Sequence, residues 1–230
     1  MLFGYAWDTT SNWSLAVSIL PMLLRGLLVT IQATLMGFLL AVVLGLVLAG
    51  LKSVRLKIIS WPAYAFTEFI RDTPLLVQLF FLYYVLADYG IVLPAFLTGT
   101  LALGVQYSAY TSEVYRAGIE SVPHGQTEAA RALDIQPIRI FGTIILPQAI
   151  PRIIPALGNY LVSIMKDVPV LSVVLVVEML SVAQIIGSRT FNYMVPISMV
   201  GILYLVLTLV ASWAVRVLDE RLPKHGIPLK

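Results

Sequence analysis

The chain has 230 residues, 59% of them hydrophobic and 12% charged, with a mean hydropathy of +0.91. A soluble domain carries about 25% charged and about 45–50% apolar residues, so a water-soluble globule is excluded, and so is disorder, which needs low hydrophobicity and high charge. Cysteine is absent, which removes disulfide frameworks, thiolate metal sites and cysteine nucleophiles. The net charge of +3 points, in a membrane protein, to Lys- and Arg-rich cytoplasmic loops and not to nucleic acid.

Residues 1–24 contain no Lys or Arg, so no secretory leader with a positive n-region is predicted, and the first apolar stretch is expected to stay. A helix needs about 20 apolar residues to cross about 30 Å of hydrocarbon. The uncharged run between Arg25 and Lys52 predicts a first span over 26–51. A second is predicted over 66–87, after a short interfacial piece; Glu68, Arg71 and Asp72 fall at its start. A third lies between Asp88 and Glu113, over 94–113. A fourth, over 153–180, contains Lys166, Asp167 and Glu178, and a fifth covers 192–215, between Arg189 and Arg216. The expected architecture is all-α, a single polytopic transmembrane domain of five helices.

Charge sets the expected orientation. Lys52, Arg55 and Lys57 follow the first span, Arg116, Arg131, Arg139 and Arg152 follow the third, and Arg216, Arg221, Lys224 and Lys230 follow the fifth. The opposite side has only Arg189. Lys and Arg accumulate on the cytoplasmic side, so the N-terminus is expected outside and the C-terminus inside. No internal repeat is visible, and an odd span count argues against a duplicated secondary carrier.

The one long connection runs over 116–152, and connections of this length are usually functional. Pro123 and Gly125 punctuate its start. Thr127 is the expected N-cap, with Glu128 in the first turn where the helix dipole favours a negative charge. Ala129, Ala130, Arg131, Ala132 and Leu133 are good helix formers, and Pro137 is expected to end the helix. The product is a small-sided helix over 126–134. It either docks in a groove of a partner or packs against its own bundle.

These residues carry a resemblance. Glu128-Ala129-Ala130, followed at fixed spacing by Asp134 and then by Ile144-Ile145-Leu146-Pro147, resembles the EAA loop of bacterial ABC-importer permeases, whose pattern is EAA-x3-G-x9-I-x-L-P. Asp134 stands where the family usually has glycine; aspartate tolerates left-handed geometry, so the same turn is available. The segments RDTPLLVQLFFLYY (Arg71 to Tyr84) and AGIESVPHGQTEAARAL resemble the polar amino acid subfamily of histidine, glutamine and arginine type. The resemblance covers about residues 18–222.

It implies a type I ABC-importer transmembrane domain in a bacterial cytoplasmic (inner) membrane. Glu128, Ala129, Ala130, Arg131, Leu133 and Asp134 would belong to a coupling helix seated in a cytoplasmic ATPase. Two ATPase subunits, a second permease chain (a copy or a paralogue), an external solute-binding protein and membrane lipid are the implied partners. The chain has no G-x-x-x-x-G-K-[ST] loop, since none of its five Lys residues follows a Gly. ATP and Mg are therefore expected in the separate ATPase, with no cofactor and no enzymatic activity in this chain. The implied cargo is a polar amino acid or a related zwitterion; Tyr107 to Glu120 also looks like permeases for ectoine-type solutes.

Charges within the spans mark a candidate path. Lys166 is expected near the midplane, with Asp167 beside it and Pro169 able to kink the helix. A charged side chain there costs roughly 2.5–3.5 kcal/mol and should face a wet or protein-lined interior. Lys166 and Asp167 either line the path or form a pair that fixes packing. Glu178 lies nearer the outer interface, as a gate residue or a solvated one. Glu68 and Arg71 read as a structural ion pair. Tyr107 and Tyr110, with Tyr115, either line a cavity or pack. An intramembrane enzyme has little support, because His124 and His225 fall in a loop and the tail and give no metal spacing. A channel or carrier acting without an ATPase remains the alternative.

Overall fold

The computed structural model describes residues 7–222, so Lys224, His225 and Lys230 lie outside the described residues. Among those described, every regular element is helical. We number eight: α1 Asn12–Lys52, α2 Lys57–Asp72, α3 Leu75–Asp88, α4 Ala95–Glu120, α5 His124–Ala132, α6 Pro137–Val174, α7 Met179–Thr190 and α8 Met194–Arg221. α3 and α6 contain π-helical turns at Phe81–Val85 and Phe141–Ile145.

Three helices, α1, α6 and α8, are each long and apolar enough to cross a membrane, and α2 with α3 makes a fourth when the pair is taken as one broken span. α4 is long enough but less apolar. Its sequence answers to protein neighbours and not to lipid: Thr98, Thr100, Gln106, Ser108, Thr111 and Ser112 are all buried, and several of these hydroxyls donate to carbonyls three or four residues back.

The expected boundaries shift for identifiable reasons. α1 begins at Asn12, well before residue 26, because Arg25 is a good helix former and a charge does not stop a helix. At 41 residues it is about 60 Å long. The expected 66–87 span is broken: Thr73 is extended (φ −99°, ψ 134°), as the residue before Pro74 should be. The expected 94–113 span continues to Glu120. The expected 153–180 span begins earlier, at Pro137, and its α-helical part stops at Asp167. Pro169 offers no N–H to the ladder. The chain tightens into a 3₁₀ segment over Val168–Val174, then Leu175 turns left-handed at φ 64°. Residue 178 therefore starts a new helix. The expected 192–215 span is α8 and extends to Arg221.

The chain forms two compact units. The first takes the chain up to Gly37, Leu75–Leu103 and Ser163–Val210; the second takes Phe38–Pro74, Gly104–Val162 and the chain from Ala211. In the first, Leu15, Ile19, Met22 and Leu23 of α1 pack on Met179, Val182, Ala183 and Ile186 of α7, with Val200 of α8. A Cβ on Gly26 would lie 2.8 Å from Met179 Cα, so the two backbones touch. Small residues at such crossings let dispersion hold helices together where lipid supplies no hydrophobic drive.

In the second unit, α1 and α4 meet the same way. A Cβ on Gly45 would collide with Thr111, whose hydroxyl donates to the Ala41 carbonyl at 2.7 Å. Tyr115 OH donates to the Val42 carbonyl at 3.2 Å. Ala49, Tyr115, Val122, Ala149 and Ile153 form a core cluster of this unit.

Candidate functional site

α5 is a nine-residue helix in the second unit. It opens at Pro123, not at Thr127, and Pro123 gives no side-chain cap. Proline holds φ near −60°, so the chain enters helical geometry four residues early and Thr127 falls inside the first turn. The end falls where the expected 126–134 range puts it, but Pro137 is not the stop; it is the first residue of α6. The stop is Asp134, left-handed at φ 55°. The Ile135 N–H donates to the Ala130 carbonyl at 3.1 Å and the Asp134 N–H to the Arg131 carbonyl at 2.9 Å. Those two bonds are the Schellman arrangement, with aspartate at the position glycine usually takes.

The faces of α5 divide cleanly. Ala130 is 3% exposed and packs on its own chain, which corrects its assignment to an outward contact. Glu128, Ala129, Arg131, Ala132, Leu133 and Asp134 are exposed. Leu133, at 75%, and Ile138, at 76%, leave two large apolar side chains uncovered five residues apart.

Anchors flank the helix on both sides. Val122 is buried before it and Ile140 after it. Arg152 Nη1 donates to both the carbonyl and the hydroxyl of Ser121 at 2.5 Å, tying the turn before α5 to α6. In the same unit, Lys52 is buried and its Nζ meets Glu113 Oε1 at 2.5 Å and Ser112 Oγ at 2.8 Å, and lies 5.4 Å from the Tyr64 ring centre. Arg116 continues the chain of charge to Glu113 (2.8 Å) and Glu120 (2.6 Å).

A second cluster in the same unit joins residues that the sequence treated separately. Arg71 Nη1 meets Glu68 Oε1 at 3.0 Å, and the same guanidinium lies 5.8 Å from the Tyr110 ring centre. Tyr110 stacks on Tyr160 at 5.9 Å, and Tyr107 lies 6.0 Å from each. Tyr160 was missed by sequence; an isolated tyrosine on α6 carries no signal until α6 is laid beside α4.

The remaining candidates lie in the first unit. Lys166 is exposed and lines a cavity of about 410 Å³ with Pro169, Gly201, Tyr204, Leu205 and Thr208. Asp167 is half-buried. Glu178 is neither solvated nor facing a path. It is fully buried and caps α7, its carboxylate accepting from the Ser181 N–H at 2.7 Å, the Leu180 N–H at 2.9 Å and Tyr204 OH at 3.1 Å. Carboxylates at N-caps satisfy orphan donors and face the positive end of the helix dipole.

A helical membrane fold with an exposed, anchored helix between its spans is the architecture of a transport permease, and comparison with known proteins places it. The family described as "Binding-protein-dependent transport system inner membrane component" matches residues 41–224, and the chain belongs to that family. It is 64% identical, over the full length of both chains, to the "Probable amino-acid ABC transporter permease protein y4tG" of Sinorhizobium fredii. It is 36% identical to the "Probable glutamine ABC transporter permease protein GlnM" of Bacillus subtilis, over 93% of this chain and 99% of that one. A crystal structure of "an amino acid ABC transporter with histidines" superposes with a TM-score of 0.89 at 37% identity, covering 94% of this chain and 100% of the other. These relatives are named for amino acids, and the ectoine-type expectation finds no support among them.

Proposed function

We propose that the chain is the membrane-spanning permease subunit of an ATP-driven importer for polar amino acids, in a bacterial cytoplasmic membrane. It spans five times, with the N-terminus outside, and pairs with a second permease chain. Two separate ATPase subunits hold ATP and Mg and bind below it, and a solute-binding protein delivers cargo from outside. The observation that carries this reading is the build of α5, which presents Glu128, Ala129, Arg131, Ala132 and Leu133 outward while Val122, Ala130 and Ile140 fix it inward. Helices moved as rigid bodies transmit displacement without losing it to bending. A channel or carrier acting alone would leave that exposed face without a use.

The cargo follows from the Arg71 cluster. An amino acid zwitterion needs a cation for its carboxylate and an anion or π face for its ammonium. Arg71 offers a fork suited to a carboxylate, Glu68 offers the anion, and Tyr107, Tyr110 and Tyr160 offer π faces. Lys166 and Asp167 are assigned to the path as well, in the first unit.

Uptake by proteoliposomes containing the chain, an ATPase subunit and a binding protein tests this, with glutamine, arginine and histidine as probes. We expect ATP-dependent accumulation of at least one of them, and a KM raised about tenfold or more by Arg71→Gln, the loss of one charge-assisted bond. Accumulation that proceeds without the ATPase would overturn the reading.

A further inference from the structure

The geometry points to a phospholipid site in the second unit, between α1, α6 and α8, which we infer takes one acyl chain and the zwitterionic, amine-bearing headgroup of a phosphatidylethanolamine-type lipid. A groove of about 390 Å³ runs between the three helices, and every residue lining it is apolar, among them Phe38, Val42, Leu157, Leu161, Ala211 and Ala214. It extends from residue 154 to 161 on α6 and from 211 to 218 on α8, about 10 Å on each. A helix about 10 Å across would need roughly twice that volume over the same length, whereas an acyl chain is thin enough to lie in it.

The groove ends at a polar pocket of about 280 Å³ lined by Pro155, Asn159, Ser212, Val215, Arg216 and Asp219. Val215 lines both, and a Cβ on Gly158 would sit 2.7 Å from Val215 Cγ1, so the two spaces share one wall. The polar pocket lies at headgroup depth. α8 has 28 residues, about 42 Å, against about 30 Å of hydrocarbon, and Arg216 is five residues from its end. Trp213, 63% exposed, stands three residues earlier, where indoles mark the membrane–water boundary.

Charge then selects among lipids. A pocket bearing one guanidinium and one carboxylate suits a headgroup with one phosphate and one ammonium. Arg216 is placed for the phosphate, with Asn159 and Ser212 as further donors. Asp219 makes other polar contacts in the fold, yet a carboxylate has about four acceptor positions and can take an ammonium as well. A headgroup with phosphate alone would meet Asp219 as a like charge.

The test uses the intact importer purified in mild detergent, with native mass spectrometry reading bound lipid while phosphatidylethanolamine and phosphatidylglycerol of matched chains are titrated in. We expect the ethanolamine lipid to bind about tenfold more tightly, consistent with one charge-assisted contact. Asp219→Asn should cut that preference below about threefold, Arg216→Gln should weaken both lipids, and Ala214→Trp should abolish retention. In the otherwise unaltered chain, a photo-reactive residue in place of Ala214 should form lipid adducts in membranes. Equal affinity for the two lipids, full retention by Ala214→Trp, or adducts to a second permease copy in place of lipid would overturn the site. Lipid retention is read independently of which solute the importer carries.

Discussion

Lys52 and Glu113 form an ion pair in which the lysine side chain is 1% exposed and the glutamate 28%. The asymmetry matters, because the two partners do not depend on each other equally. Glu113 also holds Arg116, while among the described residues the buried ammonium has Ser112 and the Tyr64 face besides.

Removing the anion should therefore hurt more than removing the cation. Glu113→Ala leaves a buried, uncompensated ammonium, and breaking buried pairs costs about 3–5 kcal/mol. Lys52→Met leaves Glu113 with Arg116 and should cost roughly 1 kcal/mol. Thermal unfolding in detergent, followed by size-exclusion fluorescence, checks the order; an equal loss for both variants would contradict it.

Glu178 should behave as a cap and not as a gate. Glu178→Ala deprives two backbone donors and Tyr204 OH of their acceptor. A lost cap costs about 1 kcal/mol and a stranded buried donor about 1–3 kcal/mol. The unfolding temperature should fall measurably, while the KM for cargo in the folded fraction stays within twofold of the parent, roughly the scatter of a neutral surface change.

The Arg71 cluster gives a selective prediction. Tyr110→Ala removes the face beneath the guanidinium and a stacking partner of Tyr160, each worth about 0.5–1.5 kcal/mol. KM for an amino acid cargo should rise about threefold to tenfold, with basal ATP hydrolysis unchanged. Uptake kinetics in vesicles decide it.

Asp134 tests how α5 is ended. A left-handed residue other than glycine costs about 1–2 kcal/mol. Asp134→Gly should keep full coupling, whereas the β-branched Asp134→Val should fray the turn that holds Leu133. The ratio of solute imported to ATP hydrolysed should drop for the valine variant alone.

Much of this was legible in the sequence. The apolar runs marked membrane helices, and the spacing from Glu128 through Asp134 to Pro147 marked the exposed helix and even the turn that aspartate makes. The misses have common causes. α1 runs through Arg25 and α4 through Glu113, because a single charged residue neither stops a helix nor must leave the membrane region when protein surrounds it. α4 reads as apolar only in part, because its hydroxyls are satisfied by its own carbonyls and its neighbours. Glu178 read as a gate residue or a solvated one because its burial depends on a break at Leu175 whose left-handed geometry no local residue announces. Tyr160 and the Lys52–Glu113 pair needed two helices laid side by side; Lys52 ends α1, whereas Glu113 lies within α4, seven residues before its end.

The central claim is that Leu133 and its neighbours on α5 pass work between this chain and a separate ATPase. Leu133 is 75% exposed, so Leu133→Asp should leave the fold intact. In the assembled importer, ATP hydrolysis should rise when the loaded binding protein is added, and the account predicts that Leu133→Asp abolishes that rise while the complex still melts at the parent temperature. Stimulation by the loaded binding protein equal to that of the unaltered chain would contradict it.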